Sequence, residues 1–383
     1  MILKLEKFKN FSAIPNRKSI LIFLFCLTGS YIFTGSAASS SISIVCPNNI
    51  IAVVAIWACW ISGQVAVPLS IRYSVGIFKY LIKDSQSKVL ITTPEFENFL
   101  KPMIENMELA LLIVDHSFLT SEKALYSFCN TLFEINNDII ILGTLNNDFY
   151  AKSNAMIFYT SGANEKLIRM VVSHTQICAY IKYVTWAWHL SNSDCLLHVL
   201  PHNHVHGCIN ALMCPLSNGV KVIMHDYINS VSVWNDLLGF KAETNDSVTI
   251  LMAVPTTYGI LIKGFNAIFS RNLHMMDYIK NYCNLNIRLM VSGISPVKSN
   301  SFYMWREITG HHIVECGVEN EILRSKPFIG TFNINYNLSH KVCGSETNHK
   351  SSSAGKTIVD VLPSLFKVVD NKLLLAVLLS SHY

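Results

Sequence analysis

From Ile42 onward the apolar residues fall into short blocks separated by polar punctuation, the pattern of buried strands alternating with helices. Ile42–Asn48 (ISIVCPN) predicts a strand ending in a turn. Ile50–Ile61 is apolar on every face, Ser62-Gly63-Gln64 reads as a stop, and Val65–Leu69 as the next strand, which together make a strand-helix-strand unit. A transmembrane helix is the competing reading of Ile50–Ile61. Further strands are predicted at Val89–Ile91, at Met156–Tyr159, at Cys195–Leu200 and at Ile250–Thr256, with a helix over His174–Trp188. Asn136–Lys152 reads as a polar connector, and Thr331–Ser353, rich in Asn, Ser, Thr and His, as a loop insertion.

Composition sharpens this picture. Of 383 residues, 51% are hydrophobic and 14% charged, against roughly 25% charged in an ordinary soluble domain. Parallel strands covered on both faces by helices bury nearly all their side chains and suit such a balance. The net charge of +5 is scattered, which argues for neither nucleic acid nor an acidic surface as partner. The 11 cysteines include no CxxC pair and read as small core hydrophobes in a reducing compartment.

The first 41 residues read as a leader. Lys4, Lys7, Lys9, Arg17 and Lys18 stand against a single acid, Glu6, ahead of the apolar run Ile20–Leu27. A secretory signal and a mitochondrial presequence both have this look, and the run is short for a bilayer span.

Two stretches carry candidate chemistry. Thr160-Ser161-Gly162 places two hydroxyls and a turn-forming glycine where a strand ends, a geometry that aims hydroxyls and backbone N–H groups at a phosphate chain. His202, His204 and His206 alternate in Pro201–Gly207, so in an extended segment they would share one face, which raises zinc as an alternative.

Ala155–His174 (AMIFYTSGANEKLIRMVVSH) resembles the nucleotide-binding signature of the AMP-forming acyl-CoA synthetases, Tyr-Thr-Ser-Gly-Thr-Thr-Gly-x-Pro-Lys-Gly-Val. The first four positions match. The later hydroxyl positions fall on Ala163 and Asn164, the glycine on Glu165, the proline on Leu167, the lysine on Ile168 and the last glycine on Arg169. Cys46-Pro47-Asn48, the Trp57/Trp60 pair and Gly63–Leu69 resemble the opening lobe of the malonyl-CoA synthetases in that family. Pro201–Gly207 is similar to the family's Pro-Leu-x-His-Val-His-Gly, Val254-Pro255-Thr256 also matches, and Ile287–Gly293 resembles the strand whose Ser-Gly turn borders adenine and acyl group.

The resemblance implies an α/β fold of two lobes, each a mostly parallel sheet between helices, over residues 42–330, then a polar loop (331–354) and part of a small β lobe (355–383). It implies ATP, magnesium and coenzyme A as co-reactants of a small carboxylic acid, possible malonate use, and a mitochondrial location with the cytoplasm as alternative. By position it assigns Thr160, Ser161, Gly162, Asn320 and Glu321 to the nucleotide, Glu321 also to magnesium, and His204, Gly207, Arg288, Ser292 and Gly293 to the acid. For Arg288 a structural ion pair is the equal alternative. Lys166 and Arg169 could turn inward to the phosphates.

The departures point the other way. Glu165, Leu167 and Ile168 occupy the phosphate grip, and Gly317 and Asn320 stand where the family has an adenine-stacking tyrosine and a threonine. Ile260 stands where malonate-using members carry a cation. The family's Thr-Gly-Asp, hinge and C-terminal domain would lie past Tyr383. These substitutions imply an impaired ligase, or a silent binding protein that keeps the acyl cleft. Leu373–Leu379, seven apolar residues without proline, predicts an edge strand that a partner covers or that self-associates.

Overall fold

The computed structural model describes residues 39–115, 147–161, 167–240, 247–293 and 299–316, all inside one compact unit. The leader up to Ala38, the polar loop, the partial β lobe and the Leu373–Leu379 run lie outside the described residues.

The first sheet holds β1 (Ser41–Val45), β2 (Val65–Pro68), β3 (Val89–Thr92), β4 (Ala110–Ile113), β5 (Asn154–Ser161) and β6 (Leu167–Ser173), in the order β4-β3-β1-β2-β5-β6. Only the β5–β6 pair is antiparallel. The second holds β7 (Cys195–His198), β8 (Lys221–Met224), β9 (Ile250–Ala253), β10 (Leu289–Ser292) and β11 (Val314–Glu315), in the order β11-β10-β9-β7-β8, parallel throughout. The expected α/β class with parallel-dominated sheets between helices is what the chain adopts.

The helices are α1 (Ile50–Ile61), α2 (Val75–Ser85), α3 (Pro94–Ile104), α4 (Asn147–Lys152) and α5 (His174–Ala187), then a π-helix (His206–Met213) that runs into α6 (Cys214–Ser217). They are followed by α7 (Ser230–Leu237), α8 (Pro255–Ile268), α9 (Leu273–Asn286) and α10 (Ser299–Thr309).

Strand alternation sorts these elements into layers, because successive side chains leave a strand on opposite faces. Ile42 and Ile44 of β1, Met156 and Phe158 of β5, Leu196 of β7 and Met252 of β9 share one core with α1, α5 and the π-helix. That core therefore lies between the two sheets. Val65 and Val67, Leu90, and Ile157 and Tyr159 point the other way, onto α2 and α3. Leu197, Leu251 and Met290 point onto α7, α8, α9 and α10.

This explains α1. A helix that is apolar all round must be buried all round, and α1 sits in the middle layer. Asn49 caps its start, its side chain accepting from the Ile51 amide at 3.0 Å, and Gly63 (φ +71°) turns the chain out after it. Among the described residues no helix is long and apolar enough to cross a membrane.

Several element ends differ from expectation. β7 stops at His198, since Pro201 has no N–H for a ladder. β9 stops at Ala253, and Pro255 instead opens α8, where a missing N–H costs nothing. Residues 147–152 of the expected polar connector form α4. The eight cysteines among the described residues are free thiols, six of them buried.

Candidate functional site

In parallel α/β sheets ligands gather beyond the carboxyl ends of the strands. Here those ends are His198 (β7), Ala253 (β9) and Ser292 (β10). The turn after β7 crosses in front of them. Pro201–His204 forms a tight turn and the chain enters the π-helix, a rare element that recurs at functional sites.

Two glycines make this packing possible. A Cβ on Gly207 would lie 2.1 Å from the Pro201 carbonyl oxygen, so only glycine passes there. A Cβ on Gly293 would lie 2.6–2.7 Å from Cε1, Nε2 and Nδ1 of His206, so the imidazole rests on the bare Gly293 backbone. The Gly293 amide donates to the Ala253 carbonyl at 3.1 Å, which ties the end of β10 to β9. Ser292 is buried, and its Oγ has no hydrogen-bond partner among the described residues. The same holds for Thr257 Oγ1 in the first turn of α8, a helix whose N-cap, Val254, supplies no side-chain cap. Free hydroxyls near an uncapped helix start suit an anionic or carbonyl oxygen.

The histidines do not share one face of a strand, because the segment turns and then coils. His204 is half-buried, His202 and His206 are buried, and no group of three or more His, Cys, Asp or Glu among the described residues could hold a metal. The zinc alternative is thereby corrected. Burial pulls His198 and His202 down to about 4 and lowers His204. These rings are neutral at pH 7 and so are not counter-charges; of the three, His198 hydrogen-bonds through both ring nitrogens.

Arg288 stands at the opposite end of the second sheet, before β10 begins. Its Nε and Nη2 each reach an Asp194 carboxylate oxygen at 2.7 Å, and Nη1 donates to the Trp188 carbonyl at 2.9 Å. Burial pushes the Asp194 carboxyl up. The guanidinium, the Ser191 amide and the Thr249 hydroxyl outweigh it, leaving the group below the usual carboxylate range. The ion-pair alternative for Arg288 describes these contacts. Arg288→Met is expected to lower the unfolding free energy by about 2 kcal/mol, moderated by the part-exposed guanidinium, with acid binding unchanged. Denaturant unfolding beside acid titration checks both.

At the nucleotide signature, Thr160 is half-buried on β5, opposite Ile168, and Ser161 forms the last rung, opposite Leu167. Arg169 does not turn inward. Its Nη1 donates to the Asp84 carbonyl at 3.1 Å, while the Tyr159 hydroxyl donates to Asp84 Oδ2 at 2.6 Å, on the outer face of the first sheet. Gly162, Glu165, Lys166, Asn320 and Glu321 lie outside the described residues. Ile260 is exposed on α8. Among the described residues bordering the loop, Leu167 and Ile168 are apolar and the Arg169 guanidinium is held on Asp84.

Residues 32–317 match the AMP-binding enzyme family, three quarters of the chain. The chain belongs to that family. Malonate–CoA ligase ACSF3, mitochondrial, of Xenopus laevis is 33% identical over 274 residues, covering 72% of this chain and 45% of the relative. The Homo sapiens protein of the same name is 32% identical over 281 residues (73% and 46%), and malonate–CoA ligase of Arabidopsis thaliana 30% over 297 (75% and 46%). The chain therefore spans less than half the length of these relatives. ATP-bound MatB from Rhodopseudomonas palustris has the same fold, with TM-score 0.62 at 20% identity over 79% of this chain and 54% of that one. So does the N-terminal domain of FACL13 from Mycobacterium tuberculosis, with TM-score 0.58 at 16% identity over 78% and 67%.

Sequence reading of this AMP-binding domain named His206 only in the zinc alternative and Asn48 only within a resemblance, gave neither a role beside the acid, and did not single out His198. The signal for His206 was present in its place directly before a glycine that must pass a carbonyl. His198 and Asn48 meet across 150 residues of chain, and no local pattern marks such a pair.

Proposed function

We propose that this chain is the acid-binding part of an AMP-forming CoA ligase that takes a small carboxylic acid, with malonate the first acid to test and with weakened hold on ATP. The observation that carries the reading is the seating of His206 on Gly293 beside the unpartnered Ser292 hydroxyl, which brings the His-Val-His-Gly and Ser-Gly segments together. ATP, magnesium and coenzyme A are the co-reactants the family supplies, with Thr160, Ser161, Gly162, Asn320 and Glu321 as the nucleotide side and Glu321 as the magnesium carboxylate. A mitochondrial location is supported by the names of the animal relatives.

Weakened nucleotide binding follows from charge. A carboxylate about 4 Å from a phosphate oxygen repels it by about 4 kcal/mol at an effective dielectric of 20, or about a thousandfold in affinity. Glu165 brings such a carboxylate into the loop, and Arg169, held on Asp84, does not offset it. Titration calorimetry with ATP and magnesium is expected to give a dissociation constant no tighter than about millimolar. Low-micromolar binding would overturn the weakened grip, and tightening in Glu165→Gly with Ile168→Lys would support it. The second reading, a silent acid-binding protein, is favoured by the same two apolar residues opposite Thr160 and Ser161. Pyrophosphate release with malonate separates the two.

A further inference from the structure

Two side chains from the first-sheet side meet the turn that carries the site: the Tyr73 hydroxyl accepts from Asn203 Nδ2 at 3.4 Å, and Asn48 reaches deeper. Asn48, buried in the turn between β1 and α1, places its Nδ2 2.9 Å from His198 Nδ1 and 3.0 Å from the His225 carbonyl oxygen. On the far side of the ring, His198 Nε2 lies 2.9 Å from the Gly207 carbonyl oxygen.

These contacts leave no freedom in the direction of any hydrogen bond. A carbonyl oxygen only accepts, so the His225 carbonyl orients the Asn48 amide with its NH2 toward it. That NH2 can only donate to His198, so Nδ1 carries no proton. The Gly207 carbonyl likewise requires a proton on Nε2. His198 is therefore the neutral Nε2–H tautomer, and a second proton would set Nδ1–H against the Asn48 NH2. Its lowered pKa agrees with this assignment. The titratable groups facing the ring are His202 and His206 on the turn and π-helix, and His225 on the segment after β8, whose Nε2 lies 2.7 Å from Asp236 on α7.

The bonded carbonyl belongs to Gly207, the residue after His206. Gly207 is wedged against Pro201 on one side and held by His198 through its carbonyl, so the start of the π-helix has no room to slide. Resting on the function proposed above, we propose that Asn48 is a positioning residue of the acid site: acting through His198 and the Gly207 carbonyl, it sets where the π-helix lays the His206 ring against Ser292–Gly293. The two sheets are coupled at this point, and the first sheet shapes a pocket built on the second.

The test uses the full chain with 15N-labelled histidine, in the parent and in Asn48→Ala, His198→Ala, the two combined, and His198→Gln. The side-chain amide introduced by His198→Gln can donate to the Gly207 carbonyl where Nε2–H did. Two readouts are taken: the ring-nitrogen shifts of His206, and the dissociation constant for malonate and for propionate. Asn48→Ala is expected to move the His206 ring signals and weaken acid binding about tenfold. His198→Ala does the same, the double variant loses no more than either alone, and His198→Gln recovers the parent's His206 signals and most of its affinity. A purely structural role would lower thermal stability in all variants without this order and without rescue by glutamine. Unmoved His206 signals in Asn48→Ala overturn the proposal. A parent that binds neither acid while His206 still responds to Asn48→Ala overturns the function reading alone and leaves the positioning role standing.

Discussion

Gly207→Ala will cost about 3 kcal/mol of unfolding free energy, the upper end of the usual range for overpacking, and will abolish acid binding. The new methyl would sit 2.1 Å from the oxygen and 2.8 Å from the carbon of the Pro201 carbonyl, and both are backbone atoms that no rotamer change can move. Relief requires displacing the turn at Pro201 or the π-helix, and either breaks the 2.9 Å bond from His198 to the Gly207 carbonyl. Gly259 on α8 and Gly76 on α2 are the controls. Nothing lies within 4 Å of a Cβ at either, and alanine there should gain about 0.5–1 kcal/mol from helix propensity. Urea unfolding of the three variants checks the contrast. Equal effects at all three positions would show that the crowding at Gly207 is absent.

The second large effect is loss of stability in mild acid. His174, His198 and His202 are buried and each is held at about 4, below the ordinary histidine value of 6.5. Between those values the unfolded chain binds more protons than the folded one, so stability rises with pH through the window. The contribution is whole above about pH 6.5 and falls away as pH drops toward 4. At pH 5 each ring accounts for about 2 kcal/mol, so three together remove much of the 5–15 kcal/mol typical of a domain. Asp194 adds to the loss at still lower pH, because its depressed carboxyl stabilises the fold only while ionised. Unfolding midpoints are expected to fall steeply from pH 7 to pH 5. His202→Gln should flatten that slope, and an unchanged slope in this variant would show that His202 is not among the groups that titrate on unfolding.

The layered fold was legible because period-2 alternation and all-round apolar helices are local signals. Ile42–Val45, Val65–Val67 and Val89–Ile91 announce buried strands. The uniform apolarity of Ile50–Ile61 marks either a membrane span or a helix with protein on every side, and only the second sheet decides between them. What was not legible was geometry that depends on long-range approach. Alternating histidines imply one face only if the backbone is extended, and the π-helix that begins at His206 breaks that premise. Arg288 reads equally as substrate counter-charge or structural partner until its place at the amino end of β10 puts it beside Asp194, four residues of strand away from Ser292. Gly293 was placed at the acid by the resemblance, but its need for a bare backbone comes from a ring 87 residues earlier in the chain, which no local pattern shows.

The central claim is that a small acid binds where the turn before the π-helix meets the end of β10. Saturation-transfer NMR with malonate and propionate, run on the parent chain and on His204→Ala, tests it most directly, since His204 is half-buried and its loss leaves the core intact. The account predicts transfer to at least one acid in the parent, reduced about tenfold in the variant; equal transfer in both, or none in the parent, would contradict it.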